Sequence, residues 1–235
     1  TESKLYHSRW LVKRLEISGK NFALNSIIPT INANIVVISD ADANVSPGWL
    51  DIIRSRMMEE DVAVVSGIEF EGRAPGFNSY YREKSNWLRC RESEIGSTPV
   101  LEGSILAWKT SALGTFVLDE RMNADDAQIG FLSIRSGYRS IVDSRITFRD
   151  FVVSDRTFGE SVRRSQGLAL ALIKNADLAF FNQSSASRKA IFNALILYVI
   201  FPWSLLLFIL NATASFYMNP HIDDTWYFYS FSVFF

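Results

Sequence analysis

Two carboxylates, Asp40 and Asp42, stand one residue apart directly after the apolar run NIVVIS. Carboxylate oxygens at the rigid end of a strand are ligands that Mg²⁺ and Mn²⁺ accept. A solvated turn also carries acidic residues, so the spacing alone leaves both a metal site and an ordinary turn open. In open α/β sheets ligands bind at the carboxyl ends of strands, and this position favours a site.

A lysine and a glycine step offer two further contacts for a ligand. Lys20 follows Gly19 at the start of a helical pattern, where a cation and free backbone N–H groups can hold an anion. Gly103 and Ser104 lead into the strand-like run ILAWK, and the missing side chain leaves room for a ligand against the backbone. Each feature by itself is also typical of a plain turn.

An acidic pair and a basic pair complete the set. Asp125 and Asp126 open a helical run, where they stabilise the helix dipole. One of them can accept a proton from a substrate if burial or its neighbour raises its pKa. Arg163 and Arg164 are fixed cations suited to diphosphate oxygens. Helix capping and a lipid-facing basic helix are the plainer interpretations of these two pairs.

Alternating strands and helices must position these groups. Strand patterns occur at residues 34–39, 62–70 and 104–109, and again in RSIVDS and ITFRDFV, with helical patterns between most of them. Such alternation predicts an α/β fold with a largely parallel sheet covered by helices on both faces.

The composition excludes several classes of protein. The 235 residues carry a net charge of −1, so no overall basic surface argues for a nucleic-acid partner. Two His and a single Cys, Cys90, exclude a disulfide framework and disfavour a zinc cluster. Residues 78–95 are rich in charge and are expected to form a surface helix.

An uncharged stretch runs from Ala190 to Pro220 and is long enough for a membrane span, which needs roughly 20 apolar residues. Arg188 and Lys189 precede it, and no Lys or Arg follows it. The positive-inside rule then puts residues 1–189 in the cytoplasm. The expected location of the protein is the cell (inner) membrane. A buried core helix is the alternative interpretation of this stretch.

The motifs follow one another in a distinctive order. GKNFALN comes first, then the strand with Asp-Ala-Asp, LEGSILAWK, NADDAQIG with its later GYR, and GESVRRSQG ahead of the apolar stretch. In this order they resemble the processive and membrane-bound members of glycosyltransferase family 2, the group of cellulose and hyaluronan synthases, over about residues 19–210. The resemblance implies a GT-A fold, Rossmann-like with flanking helices, followed by a transmembrane helix. It also implies that the first strand of that fold lies upstream of Thr1, so that this chain is a fragment.

The resemblance assigns roles to the two acidic motifs and the lysine. Asp40 and Asp42 match the Asp-x-Asp that holds Mg²⁺ or Mn²⁺ on the diphosphate of a nucleotide-sugar, with Asp42 expected as the direct ligand. Asp125 and Asp126 match the paired acids of the family, in which the second is the base that deprotonates the acceptor hydroxyl. Lys20 matches a lysine near the nucleotide.

The basic segment departs from the pattern of the family. Arg163, Arg164 and Gln166 fall where the family has Gln-x-x-Arg-Trp, which clamps the diphosphate. Here Gln166 follows the arginines instead of preceding them. The Trp of the pattern, which belongs to polymer-making members, is absent. Gly103 and Ser104 are expected to lie on the acceptor side.

One base and no enzyme nucleophile imply an inverting transfer. The donor would be a UDP- or GDP-sugar, and the acceptor a glycan or a polyprenyl-linked molecule at the lipid bilayer. The expected organisation is a truncated catalytic domain (1–150), an interfacial Arg-containing helical segment (151–189), a transmembrane helix (190–218), and a loop with the start of a possible second span (219–235).

Two alternatives remain at this stage. VVISDADANV also fits the strand of haloacid-dehalogenase-type phosphatases, in which Asp40 would be the nucleophile, Ser66 of VAVVSG the family serine and ADD the later acids. The second alternative is a catalytically inactive glycosyltransferase domain that acts as a membrane scaffold.

Overall fold

A computed structural model describes residues 15–70, 77–150, 158–181 and 184–218. The predicted loop and second apolar segment at 219–235 therefore lie outside the described residues.

The described residues contain one sheet of five strands. These are β1 (Ile35–Ser39), β2 (Ala43–Val45), β3 (Val62–Glu69), β4 (Ile105–Lys109) and β5 (Arg139–Asp150), in the spatial order β1-β4-β3-β5-β2. The strands predicted near 34–39, 62–70 and 104–109 are confirmed. RSIVDS and the first five residues of ITFRDFV belong to a single long strand, β5, and the last two residues of that run lie outside the described residues.

The prediction of a largely parallel sheet was wrong. Only β3 and β5 pair in parallel, whereas β4 runs antiparallel to both β1 and β3, and β2 runs antiparallel to β5. Strand direction depends on which neighbour a strand finds in space, and an apolar run such as ILAWK carries no local mark of it. Because β4 runs antiparallel to β1, the residues just before β4 lie next to the carboxyl end of β1.

Helices flank the sheet and link its strands. The first half of the chain contributes α1 (Lys20–Ile27), α2 (Trp49–Met57) and α3 (Phe77–Ile95), so the charged helix predicted at 78–95 is confirmed. The second half contributes α4 (Thr110–Leu113), α5 (Asp125–Arg135), α6 (Phe158–Lys174) and α7 (Leu178–Phe181). At the end of α5, Gly137 adopts φ 84°, a left-handed conformation that glycine tolerates and that stops a helix.

The core has two sides because successive residues of a strand point to opposite faces of the sheet. Val64 faces a cluster with Trp108 and Ile129, whereas Val65 faces a cluster with Ile53 and Phe148. Beyond α5 a further apolar cluster packs that helix against the next ones along the chain; it includes Phe131, Leu172 and Ile191. This second layer fixes α5, and with it the acidic pair at its start.

One long apolar helix follows. It consists of α8 (Ser185–Leu195), a π-turn (Ile196–Ile200) and α9 (Phe201–Met218). Its stretch Ser185–Ser215 is long and apolar enough to cross a membrane, and 6% of the most apolar 18-residue segment within it is buried. A core helix would be mostly buried, so the alternative of a buried core helix fits this exposure poorly.

Candidate active site

A cleft of about 670 Å³ opens beside the end of β1 and the start of β4. It brings together residues from α1, the β1–β2 turn, the approach to β4, the start of α5, and α6. Most of the residues predicted for a site line it, namely Lys20, Asp40, Gly103, Ser104, Asp125, Asp126, Arg163 and Arg164. Asp42 and Gln166 do not line this cleft, and both are exposed.

Lys20 links the two acidic motifs. Its Nζ lies 2.9 Å from Asp40 Oδ1 and 3.1 Å from Asp125 Oδ2. Burial by itself lowers the pKa of Lys20, but the charges and hydrogen bonds of Asp125 and Asp40 outweigh burial and raise that pKa. The ammonium group is therefore a permanent cation in the cleft at neutral pH, on the side where α1 begins.

Asp126 has the properties of a proton acceptor. Burial, followed by the negative charge of Asp125, raises the pKa of Asp126 to about 7. The amide of Ala127 donates a hydrogen bond of 2.7 Å to Asp126 Oδ1, and the charge of Lys20 also opposes the rise. A carboxylate with a pKa near the working pH is suited to taking a proton from a substrate hydroxyl.

The antiparallel entry of β4 explains why Gly103 and Ser104 lie in the cleft. The amide of Asp40 donates to the carbonyl of Ser104 at 3.2 Å, so the end of β1 and the start of β4 are held together. A Cβ at position 103 would lie 3.5 Å from Lys20 Nζ and 3.6 Å from Asp126 Oδ2. Glycine therefore leaves open the space between the cation and the acid, where a ligand can approach the backbone.

A second glycine sets the position of the two arginines. Gly167 is buried on α6, and a Cβ there would lie 3.1 Å from the backbone carbon of Asn123 and 3.3 Å from the amide of Ala124. The absence of a side chain lets α6 lie directly against the segment that leads into α5. Arg163 and Arg164, one turn earlier on α6, consequently line the cleft that also holds the acidic pair.

The β1–β2 turn carries the residues that could hold a divalent cation. The amide of Ala43 donates to the carbonyl of Asp40 at 3.2 Å and closes a turn that contains Asp42. The described residues contain no cluster of three or more His, Cys, Asp or Glu side chains arranged for a metal. Magnesium in nucleotide sites needs only one or two carboxylates beside the substrate phosphates. Asp40 in the cleft and Asp42 on the same turn fit that requirement in donor type.

An arginine network on the other side of the cleft was missed by sequence reasoning. Arg89 is 4% exposed, and its Nη1 lies 2.6 Å from Glu102 Oε1, while Arg82 lies 3.5 Å from the same oxygen. Both arginines line the cleft, as do Tyr81 and Ser85 of the same helix. The available signal was the spacing, because residues 82, 85 and 89 share one face of a helix.

The serine required by the phosphatase alternative is not in the cleft. Ser66 is 1% exposed, donates to the carbonyl of Glu102 at 2.9 Å and accepts from the Glu102 amide at 3.1 Å. Its hydroxyl joins β3 to the approach of β4 instead of facing the space beside Asp40. This geometry argues against a dehalogenase-type site.

No protein-family model and no curated protein matches the chain. Among solved structures it is similar to the mannosyltransferase PcManGT from Pyrobaculum calidifontis in complex with GDP-Man and Mn²⁺, with a TM-score of 0.72 and 24% identity. That match covers 92% of this chain and 58% of the mannosyltransferase. The chain also aligns with TarS 1–349 from S. aureus in complex with UDP-GlcNAc, with a TM-score of 0.49, 13% identity, and coverage of 83% and 59%. The chain spans little more than half the length of either protein, and the first match shows a shared mixed α/β fold.

Proposed function

We propose that this chain is the catalytic part of an inverting, metal-dependent glycosyltransferase of the family 2 type. It would move a sugar from a nucleotide-sugar donor to a membrane-associated glycan or lipid-linked acceptor. The observation that carries the proposal is Asp126, a carboxyl with a pKa of about 7 in a cleft that also holds Lys20 and two arginines. The fold shared with a mannosyltransferase that binds GDP-Man and Mn²⁺ supports it.

The donor would bind on the side of the cleft formed by α1 and the β1–β2 turn. Lys20 and the guanidinium groups of Arg163 and Arg164 are suited to the negative charge of a diphosphate. Asp40 and Asp42 would hold Mg²⁺ or Mn²⁺, which, when bound, stabilises the charge that develops on the leaving diphosphate. Gly103 and Ser104 would lie on the acceptor side, where the open backbone at Gly103 leaves room for the acceptor beside Asp126.

Asp126 would act as the single general base. It would take the proton from the acceptor hydroxyl as the new glycosidic bond forms and the bond to the diphosphate breaks. Attack by the acceptor from the face opposite the leaving group inverts the anomeric carbon. In this scheme Asp125 keeps Lys20 in place and raises the pKa of Asp126.

The apolar helix would anchor the catalytic part at a membrane. Ser185–Ser215 is long enough for a span, and Arg188 and Lys189 near its start favour a cytoplasmic location for the sheet. The acceptor would then be presented at the bilayer surface. The inner membrane of a cell is the location that this arrangement favours.

The test uses the full-length protein in nanodiscs. Release of nucleoside diphosphate would be measured from GDP-mannose, UDP-N-acetylglucosamine and UDP-glucose, with Mn²⁺, with Mg²⁺ and with EDTA. We expect metal-dependent release from one donor and inverted anomeric configuration in the product. Absence of release from every donor, with intact donor binding, would favour the scaffold interpretation. Phosphatase activity on a generic phosphate ester that Asp40→Asn removes would favour the dehalogenase interpretation.

A further inference from the structure

One residue of the apolar helix lies in the cleft. Tyr198 is half-buried and lines the cleft, whereas its neighbour Leu197 is 43% exposed and does not. The Tyr198 side chain hydrogen-bonds with Ser85 and Tyr81 of α3. The otherwise apolar helix thus contributes a polar aromatic residue to the same space as the acidic pair.

The π-turn explains how the helix presents this residue. Pro202 has no N–H, and in a regular helix its ring would collide with the carbonyl of Tyr198, four positions earlier. The helix widens instead, and the amide of Phe201 donates to the carbonyl of Ile196, five positions earlier. Such single π-turns are frequent at functional sites because they redirect the side chains on one turn.

Tyr198 and its hydrogen-bond partners belong to the π-turn and α3, which are different elements from those that carry Lys20 and Asp40. Tyr81, Ser85 and Arg89 belong to α3, whereas Lys20 and Asp40 belong to α1 and the β1–β2 turn. Arg89 interacts electrostatically with both Tyr198 and Asp126, and all three residues line the cleft. A group held against Tyr198 would therefore share the cleft with Asp126.

We propose that Tyr198 and Tyr81 form an acceptor subsite that holds a pyranose ring beside Asp126, with Tyr198 as a positioning residue. This inference rests on the proposed function and adds the part of the cleft that the acceptor occupies. Aromatic rings offer an apolar face to the C–H groups of a sugar, and phenol and serine hydroxyls offer hydrogen bonds to its hydroxyl groups. Because Tyr198 belongs to the helix suited to a membrane, the subsite favours a sugar that arrives from the bilayer side.

The experiment measures sugar binding without a donor, so it is independent of transfer activity. Full-length protein in nanodiscs would be mixed with methyl glycosides of mannose, glucose and N-acetylglucosamine, and binding would be read by saturation-transfer difference NMR. We expect the wild type to saturate the ring protons of at least one glycoside. Tyr198→Ala should reduce this signal at least threefold, Tyr198→Phe should retain at least half of it, and Leu197→Ala should leave it unchanged.

A second variant covers the case in which Tyr198→Ala fails to fold. Tyr81→Ala removes the other ring from an exposed position on α3, and Tyr80→Ala is its control because Tyr80 is 60% exposed and outside the cleft lining. Tyr81→Ala should lower the signal and Tyr80→Ala should not. No saturation with the wild type, or equal saturation with all variants, would overturn the subsite. Absence of diphosphate release by a wild type that binds a glycoside would instead overturn the proposed transfer reaction.

Discussion

The ammonium of Lys20, at the start of α1, lies 3.1 Å from the carboxylate of Asp125, at the start of α5. The same ammonium reaches Asp40 at the end of β1. Three elements distant in sequence are therefore held together by one cation. Asp125 and Lys20 both act on the pKa of Asp126, so a change at either is expected to alter it.

The first prediction concerns the base. Asp126→Asn keeps the size of the side chain but removes its ability to take a proton, so transfer should fall by about 10²–10⁴-fold. Donor affinity should change less than threefold, as measured by calorimetry with the nucleotide-sugar. Asp51→Asn is the matched control, because Asp51 is an exposed carboxylate on α2. Equal loss of donor binding and transfer in Asp126→Asn would remove Asp126 from this role.

The pH dependence of transfer should follow the ionisation of Asp126. The base is active when deprotonated, so with its pKa at about 7 the rate should rise about tenfold per pH unit below pH 7 and level off above it. Asp125→Asn removes a negative neighbour and should move the rising limb of the pH–rate profile to lower pH. Lys20→Met removes a positive neighbour and should move it to higher pH. A limb that stays at the same pH in both variants would contradict the assignment.

The metal requirement should depend on the β1–β2 turn. Asp42→Ala removes a carboxylate ligand and should raise the Mn²⁺ concentration for half-maximal transfer at least tenfold, since a hard cation depends on few protein ligands here. EDTA should abolish transfer by the wild type, and added Mn²⁺ should restore it. The control is Glu60→Ala, which removes an exposed carboxylate after α2. An unchanged Mn²⁺ requirement in Asp42→Ala would exclude Asp42 from the metal site.

Gly167→Ala tests the close packing of α6. The added methyl group would meet backbone atoms at 3.1 Å, so α6 must move away from the segment before α5. We expect the free energy of unfolding, measured by chemical denaturation, to fall by about 1–3 kcal/mol. Transfer activity should fall by more than the loss of folded protein explains, because both the arginines and the acidic pair shift. Gly159 lies on the same helix and a Cβ there would meet no atom within 4 Å, so Gly159→Ala should be at least as stable as the wild type and retain its transfer activity. Similar behaviour of the two variants would show that this contact does not position the site.

Much of the fold was predictable because local patterns decide it. The run IVVIS is β-branched and uncharged, and it forms β1 with Asp40 at its end. The direction of β4 was not predictable, because antiparallel insertion between β1 and β3 depends on long-range pairing. That reversal brings Gly103 into the cleft beside Lys20 and Asp126, whereas the sheet that carries it there was predicted with the wrong strand direction.

The other side of the cleft escaped prediction for a different physical reason. Arg89 lies within a segment whose charge is typical of a surface helix, yet it is buried because Glu102, from the approach to β4, neutralises it. Tyr198 lies within an apolar run, where a single polar atom is an inconspicuous feature. Its place in the cleft depends on a π-turn, and the signal for it was Pro202 four residues later.

The position of β1 in the sheet bears on how the protein behaves at high concentration. Among the described residues, β1 hydrogen-bonds to β4 on one side and is the edge of the sheet on the other. Four of its five residues are β-branched and none is charged, which is the composition that favours strand addition from another molecule. Unless another part of the polypeptide covers this edge, it is the place where self-association into extended β-structure would begin.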